Sequence, residues 1–223
     1  MPIDFLEFAD RHPLLTHCAA RGLDPDLLRD EGLLSVTELV RCLADDQGQV
    51  RWRPVGVKAW RTGSWRVLNR LDRGFDAYEV QSPDGRAATI NDQGPLRSFG
   101  GLARLEERGR LLDGLTPADW IETLNARVYF WADPKLRERF LVKYASGRPT
   151  TISLETTKLP DSLRARLRVS RINGGAARGL AKRGRATYTR LEEATFTLGK
   201  IKEITIEGRV SPTELAACGA TVS

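Results

Sequence analysis

Arg127, Tyr129 and Trp131 alternate in the segment Arg127-Val128-Tyr129-Phe130-Trp131, the densest aromatic stretch of the chain. Alternate residues of a strand share a face, so a guanidinium and two rings would form one wall, with Val128 and Phe130 behind it. Such a wall can stack on a nicotinamide, an adenine or an exposed base. It is equally the pattern of a sheet face packed beneath a helix, with Arg127 at the edge. A second alternation sets Arg164, Arg166 and Arg168 against Ala165, Leu167 and Val169. Extended, it would point three guanidinium groups to one side at ~6.6 Å intervals, close to the phosphate spacing of an extended nucleic-acid strand. Arg171, Arg178, Lys182, Arg183 and Arg185 continue that set through a glycine-rich stretch. The competing reading is an arginine-rich sheet face held by the protein's own acids.

The chain has two histidines, so a Ser-His-Asp or Cys-His site must use His12 or His17. Cys18 adjoins His17, but neighbours on a strand face opposite ways and would not form a dyad. His12, His17 and Cys18 lack a further anchor at metal-ligand spacing, so no metal is expected. Phosphate-cradling GxxxxGK[ST], dinucleotide GxGxxG, GxSxG and HExxH patterns are absent from the sequence. Read by itself, His17 is a core or edge residue at the end of an apolar strand.

Charge narrows the partner class. The net charge is +6, but residues 51–73 hold seven basic residues to one acid and residues 161–190 nine to one. Segregated positive charge of this kind suits a polyanion, and the planar fork of Arg grips phosphate or stacks on a base. A purely structural or protein-interaction domain explains that asymmetry least well. At 223 residues, 41% hydrophobic and 29% charged, the chain is long enough for a substantial core in one domain, 1–223. Met1-Pro2-Ile3-Asp4 carries an acid where a secretory signal is basic, and no apolar run approaches the ~20 residues of a membrane span. Cys18, Cys42 and Cys218 are odd in number and lack a CxxC pair. A cytoplasmic protein without disulfides, and without a membrane partner, is the expectation.

The elements that must position these residues are punctuated by caps. Asp24-Pro25 opens a helix that Gly32 closes, and Ser35-Val36-Thr37-Glu38 has the form of a capping box. Thr116-Pro117-Ala118-Asp119, Asp133-Pro134 and Ser211-Pro212-Thr213-Glu214 are further helix starts. A short helix is expected over 3–11. Strands are expected over 14–18, 77–80, 86–90, 127–131, 150–154, 163–172, 186–191 and 201–206, with Ser82-Pro83-Asp84-Gly85 as a hairpin turn. Residues 45–74 read as loop with short elements. Helices gather in the N-terminal two-thirds and strands in the last half, which predicts an α+β fold with a mixed or antiparallel sheet.

Several segments recur together: Leu15-Thr16-His17, Gly32-Leu33-Leu34-Ser35, Asn91 to Leu96, Leu115 to Trp120 and Leu124 to Trp131, then Glu155-Thr156 with Leu159, and Arg183-Gly184 with Thr187-Tyr188. They resemble an uncharacterised bacterial family with an LNxRVFFW-like segment, over roughly residues 13–207. That outline is similar to the DarT-type ADP-ribosyltransferases, toxins that attach ADP-ribose to DNA bases. The resemblance implies an ADP-ribosyltransferase-like sheet, NAD as cofactor, DNA or RNA as target and an antitoxin as partner. It implies that His17 orients the nicotinamide-side ribose and Tyr129 stacks near nicotinamide, with Thr16 and Arg127 in the same site. The chain departs from the pattern where DarT has its catalytic glutamate: Arg183-Gly184-Arg185-Ala186-Thr187-Tyr188 offers only Thr187. Departure of nicotinamide leaves an oxocarbenium-like ribose that a carboxylate stabilises, and losing such a group costs ~10²–10⁴ in rate. Glu192, Glu193, Glu203 and Glu207 are the available substitutes. Glu203 and Glu207, four apart on a strand and so on one face, are the pair placed as catalytic; the competing reading of both is a solvated strand face. The alternative is a non-catalytic nucleic-acid-binding protein with a basic groove and an aromatic stacking platform.

Overall fold

Four cap signals of the sequence become helices in the computed structural model. It describes residues 2–19, 25–35, 37–38, 66–72, 76–81, 87–91, 108–143, 145, 149–174 and 181–223, with the strands between 66 and 91 described as backbone. The Asp4 carboxylate accepts from the backbone N–H groups of Leu6 and Glu7 and starts α1, Phe5–Arg11. α2 is Pro25–Glu31. Thr116 and Asp119 form a reciprocal capping box at the head of α3, Pro117–Asn125. The Asp133 carboxylate caps α4, Pro134–Lys143. Two short helices follow, α5 at Asp161–Arg164 and α6 at Pro212–Ala217, the latter started by a Ser211/Glu214 box.

The main sheet contains β1 (Leu14–Ala19), β6 (Arg127–Trp131), β7 (Thr150–Glu155), β8 (Leu167–Ser170), β9 (Glu203–Glu207) and β11 (Thr221–Val222). Its spatial order is β11-β7-β1-β6-β9-β8, and every pairing is antiparallel. The fold is therefore α+β with an antiparallel six-stranded sheet. β2 (Leu33–Leu34) and β10 (Arg209–Val210) make a separate two-stranded ladder. β3 (Arg66–Asp72), β4 (Asp76–Gln81) and β5 (Ala87–Asn91) make a three-stranded antiparallel sheet. The expected hairpin is β4–β5; its turn lies outside the described residues, and β3 occupies part of a stretch expected to be loop.

Register assigns the faces. Leu15, Val128, Phe130, Ile152, Leu154, Val169, Ile204 and Ile206 alternate onto one side, where they are buried with Phe8 of α1, Leu163 of α5 and Leu215 of α6. Gly32 has φ +84°, and a Cβ there would lie 2.1 Å from the Val210 carbonyl oxygen. Glycine thus lets β10 close against β2, so the Gly32-Leu33-Leu34-Ser35 motif is structural.

Three strand expectations need correction. Residues 163–172 are not one strand: Pro160 and Asp161 start α5, which sends Leu163 into the core from a helix, and β8 begins at Leu167. Residues 186–191 form a 3₁₀ turn at Arg185–Thr187 and an isolated bridge from Thr189 to Val169. Ile201 follows another 3₁₀ turn, so the last long strand starts at Glu203. Among the described residues, no helix is long and apolar enough to cross a membrane.

Candidate functional site

The face of the sheet away from the core carries a transverse polar row. Thr16 stands opposite Ser153 on one side and Trp131 on the other; Trp131 stands opposite Glu203, and Glu203 opposite Ser170. From Thr16 to Glu203 is two strand spacings, roughly 10 Å. The row crosses the weakest seam of the sheet: β1 pairs with β7 at six positions but with β6 only at Thr16↔Trp131. Where β1 and β6 part, His17 Nδ1 lies 2.9 Å from the Tyr129 carbonyl oxygen. A carbonyl only accepts, so Nδ1 carries the hydrogen and the tautomer is set. On the row itself, the Thr16 hydroxyl lies 3.0 Å from that of Ser153 and accepts from Arg137 at 3.1 Å.

Glu203 is held asymmetrically. Its Oε2 accepts from the Tyr188 hydroxyl at 2.8 Å and from Gly174 N–H at 3.0 Å. Oε1 accepts no hydrogen bond among the described residues. Burial pushes the carboxyl above its ordinary range, opposed by the Gly174 N–H, the Tyr188 hydroxyl and the charge of Arg183. Burial, with Tyr129 and Glu203 nearby, likewise holds the Tyr188 hydroxyl well above its usual value, so it stays protonated.

Tyr188 is fixed from several sides. The Trp120 ring stacks on it with centroids 6.1 Å apart, and the Arg127 guanidinium carbon sits 4.6 Å from its centroid. Tyr129 meets it edge-on at 6.4 Å, with the two hydroxyls 3.3 Å apart. Below, the Gly174 carbonyl accepts from Trp120 Nε1 at 3.3 Å and from Arg183 Nε at 3.2 Å. Arg183 is buried, and its Nη1 donates to the Ala181 carbonyl at 2.6 Å.

Placement of the expected residues is mixed. Thr16 and Glu203 share the polar row, and Arg127 and Tyr129 lie on the same face farther along β6. His17 does not join them: one-residue alternation from Thr16 turns its side chain toward the core face, where its ring meets Phe130 edge-on at 6.3 Å. The convergence of His17 with Arg127 and Tyr129 that the resemblance implies is therefore not seen. Nor is Tyr129 an open stacking platform, because Tyr188 stands against it and its hydroxyl donates to the Leu124 carbonyl at 3.1 Å. Glu207 differs from Glu203. Its Oε1 pairs with Arg127 at 2.7 Å and its Oε2 with Arg168 at 2.9 Å, so both oxygens are occupied.

The arginine row does not exist as an aligned set. Arg164 is on α5, donates to the Leu159 carbonyl at 2.8 Å and covers the Phe5 ring at 4.1 Å. Arg166 lies in the following turn, paired with Glu214 at 2.7 Å and donating to the Glu207 carbonyl at 2.8 Å. Arg168, on β8, pairs with Glu207. The protein's own acids and carbonyls thus hold this row. Arg171, Lys182 and Arg185 are exposed, Arg183 is buried, and Arg178 is outside the described residues. Tyr188 and Gly174 were not anticipated as site residues. The Arg183-Gly184…Thr187-Tyr188 motif contained the first, one residue after the Thr187 that stands where a carboxylate was expected.

With this geometry in place, the chain can be set beside known proteins. It belongs to a family of unknown function, DUF7002, whose model matches residues 13–216. No curated protein and no solved structure matches the chain.

Proposed function

We propose that this member of the DUF7002 family transfers ADP-ribose from NAD to a nucleic acid, with Glu203 as the catalytic carboxylate. The observation that carries the reading is the half-held carboxyl: Oε2 is fixed by Tyr188 and Gly174, and Oε1 accepts no hydrogen bond among the described residues. A carboxylate so presented fits a substrate that develops positive charge, which is what the ribosyl carbon of NAD does as its bond to nicotinamide breaks. The electron pair of that bond leaves with nicotinamide. The acceptor atom then bonds to the ribosyl carbon, and Glu203 takes the proton the acceptor gives up. Thr16, roughly 10 Å across the row, is buried with its hydroxyl held by Ser153 and Arg137, so it supports the site from beneath and does not itself meet the substrate.

A nucleic-acid acceptor is supported by the exposed Arg171, Lys182 and Arg185, which lie on the segments flanking Gly174 and Arg183. A non-catalytic nucleic-acid groove is less well supported, because Arg164, Arg166 and Arg168 are engaged within the protein. The test is incubation with NAD and either single- or double-stranded DNA or RNA, followed by mass measurement of the nucleic acid. A mass gain of one ADP-ribose, absent with Glu203→Gln, supports the reading. Unchanged nucleic acid in every combination refutes it.

A further inference from the structure

Three oxygens and one backbone nitrogen decide how Glu203 is presented. Tyr188 Oη and Gly174 N both bind the same carboxylate oxygen, at 2.8 and 3.0 Å. Two donors on one oxygen fix the plane of the carboxyl and draw charge toward that oxygen, leaving its partner as the one that faces a ligand. The tyrosine that supplies one donor cannot turn away. Trp120 stacks on its ring, Arg127 sits against that ring, and Tyr129 closes a third side edge-on. Gly174 completes the arrangement by what it lacks: a Cβ there would lie 2.2 Å from Tyr188 Oη and 3.1 Å from Cζ. That glycine thus gives an N–H to the carboxylate and leaves room for the hydroxyl beside it. No positive φ explains its presence.

We propose that Tyr188 is the positioning residue of Glu203, and that Tyr188 and Gly174 together clamp Oε2 so that Oε1 alone meets the substrate. The inference rests on the ADP-ribosyl reading for its consequence in turnover, but the clamp has a signature of its own. The groups that face the carboxyl are the Gly174 N–H, the Tyr188 hydroxyl and the buried Arg183, with Tyr129 and Arg127 behind Tyr188. Both donors stabilise the anion. Removing either therefore raises the pH at which Glu203 ionises, and the burial cost that opposes ionisation remains.

Tyr188→Phe keeps the ring, and with it the Trp120 and Arg127 contacts, while deleting the hydroxyl. Gly174→Ala keeps the hydroxyl and displaces it. The Glu203 carboxyl is followed by carbon-13 NMR through a pH titration of the full chain, with the resonance assigned by its loss in Glu203→Gln. Both variants are expected to titrate at higher pH than the wild type. In nicotinamide release from NAD, kcat falls by ~10²-fold with KM little changed, and the acid limb of the kcat profile moves up with the titration. A merely structural tyrosine would lower the melting temperature and leave the titration of the folded protein where it was. An unshifted titration in folded Tyr188→Phe, or in Gly174→Ala, overturns the clamp. A shifted titration in both variants, together with a wild type that consumes no NAD, keeps the clamp and removes the ADP-ribosyl reading, so the two failures are distinguishable.

Discussion

Two carboxylates show how differently one chain treats the same chemical group. Glu214 is satisfied at every turn: Arg166 pairs with it at 2.7 Å, the Ser162 hydroxyl donates at 2.6 Å, and the Ser211 N–H and hydroxyl donate to its other oxygen at 2.9 and 3.0 Å. These partners outweigh desolvation and hold its carboxyl at about 2. Glu203 has two donors on one oxygen, none among the described residues on the other, and a carboxyl pushed up by burial. The first arrangement stabilises a corner between α5, β8 and α6. The second leaves a carboxylate less well stabilised than in water, the kind of environment that catalytic carboxylates share. Glu207, saturated by Arg127 and Arg168, belongs with Glu214.

The largest expected effect comes from removing what packs over Tyr188. Trp120 is fully buried and stacked there, so Trp120→Ala should cost about 3–5 kcal/mol of stability, read by denaturant unfolding. Next come the carboxylates themselves, with opposite signs. A depressed folded pKa means the Glu214 contribution is present above its unfolded value near 4.5 and is lost as pH falls through about 2. Glu214→Gln should therefore destabilise at pH 7 by on the order of 2 kcal/mol, a difference that shrinks toward pH 2. A raised folded pKa acts the other way: ionising Glu203 opposes folding as pH rises from 4.5 through its folded value. Glu203→Gln should leave stability at pH 7 unchanged or increased, and a large loss there would break the comparison.

Much of this was legible in the sequence where the signal is local. The capping residues Thr116, Asp133 and Ser211 start helices because a side-chain oxygen meets backbone N–H groups two or three residues on. Strand β6 follows from its run of β-formers. What failed was non-local. Arg164, Arg166 and Arg168 read as an alternating row, but a Pro160-Asp161 start turned the first half of that row into a helix. Glu203 was visible as a carboxylate on a strand, yet its partners Tyr188 and Gly174 lie 15 and 29 residues away, outside the strand that carries it. His17, read by itself as a core or edge residue, is buried on the core side; only the resemblance set it beside Tyr129.

A smaller effect separates the two sets of basic residues. Arg171, Lys182 and Arg185 are exposed, so changing all three to Ala should alter stability by no more than about 0.5 kcal/mol each. The same change should flatten the salt dependence of nucleic-acid binding by about 2–3 in log-log slope. Arg164/Arg166/Arg168→Ala should show the reverse pattern, with the melting temperature falling and the slope unchanged.

Nicotinamide release from NAD in the presence of nucleic acid decides between Glu203 and Glu207 as the carboxylate of the proposed reaction. Wild type, Glu203→Gln and Glu207→Gln are compared at equal folded concentration. Turnover is expected in the wild type, with a fall of ~10²–10⁴ in Glu203→Gln at an unchanged melting temperature, and retained turnover with a lowered melting temperature in Glu207→Gln. Wild-type rates in Glu203→Gln, or no nicotinamide release by the wild type with any nucleic acid, would contradict that expectation.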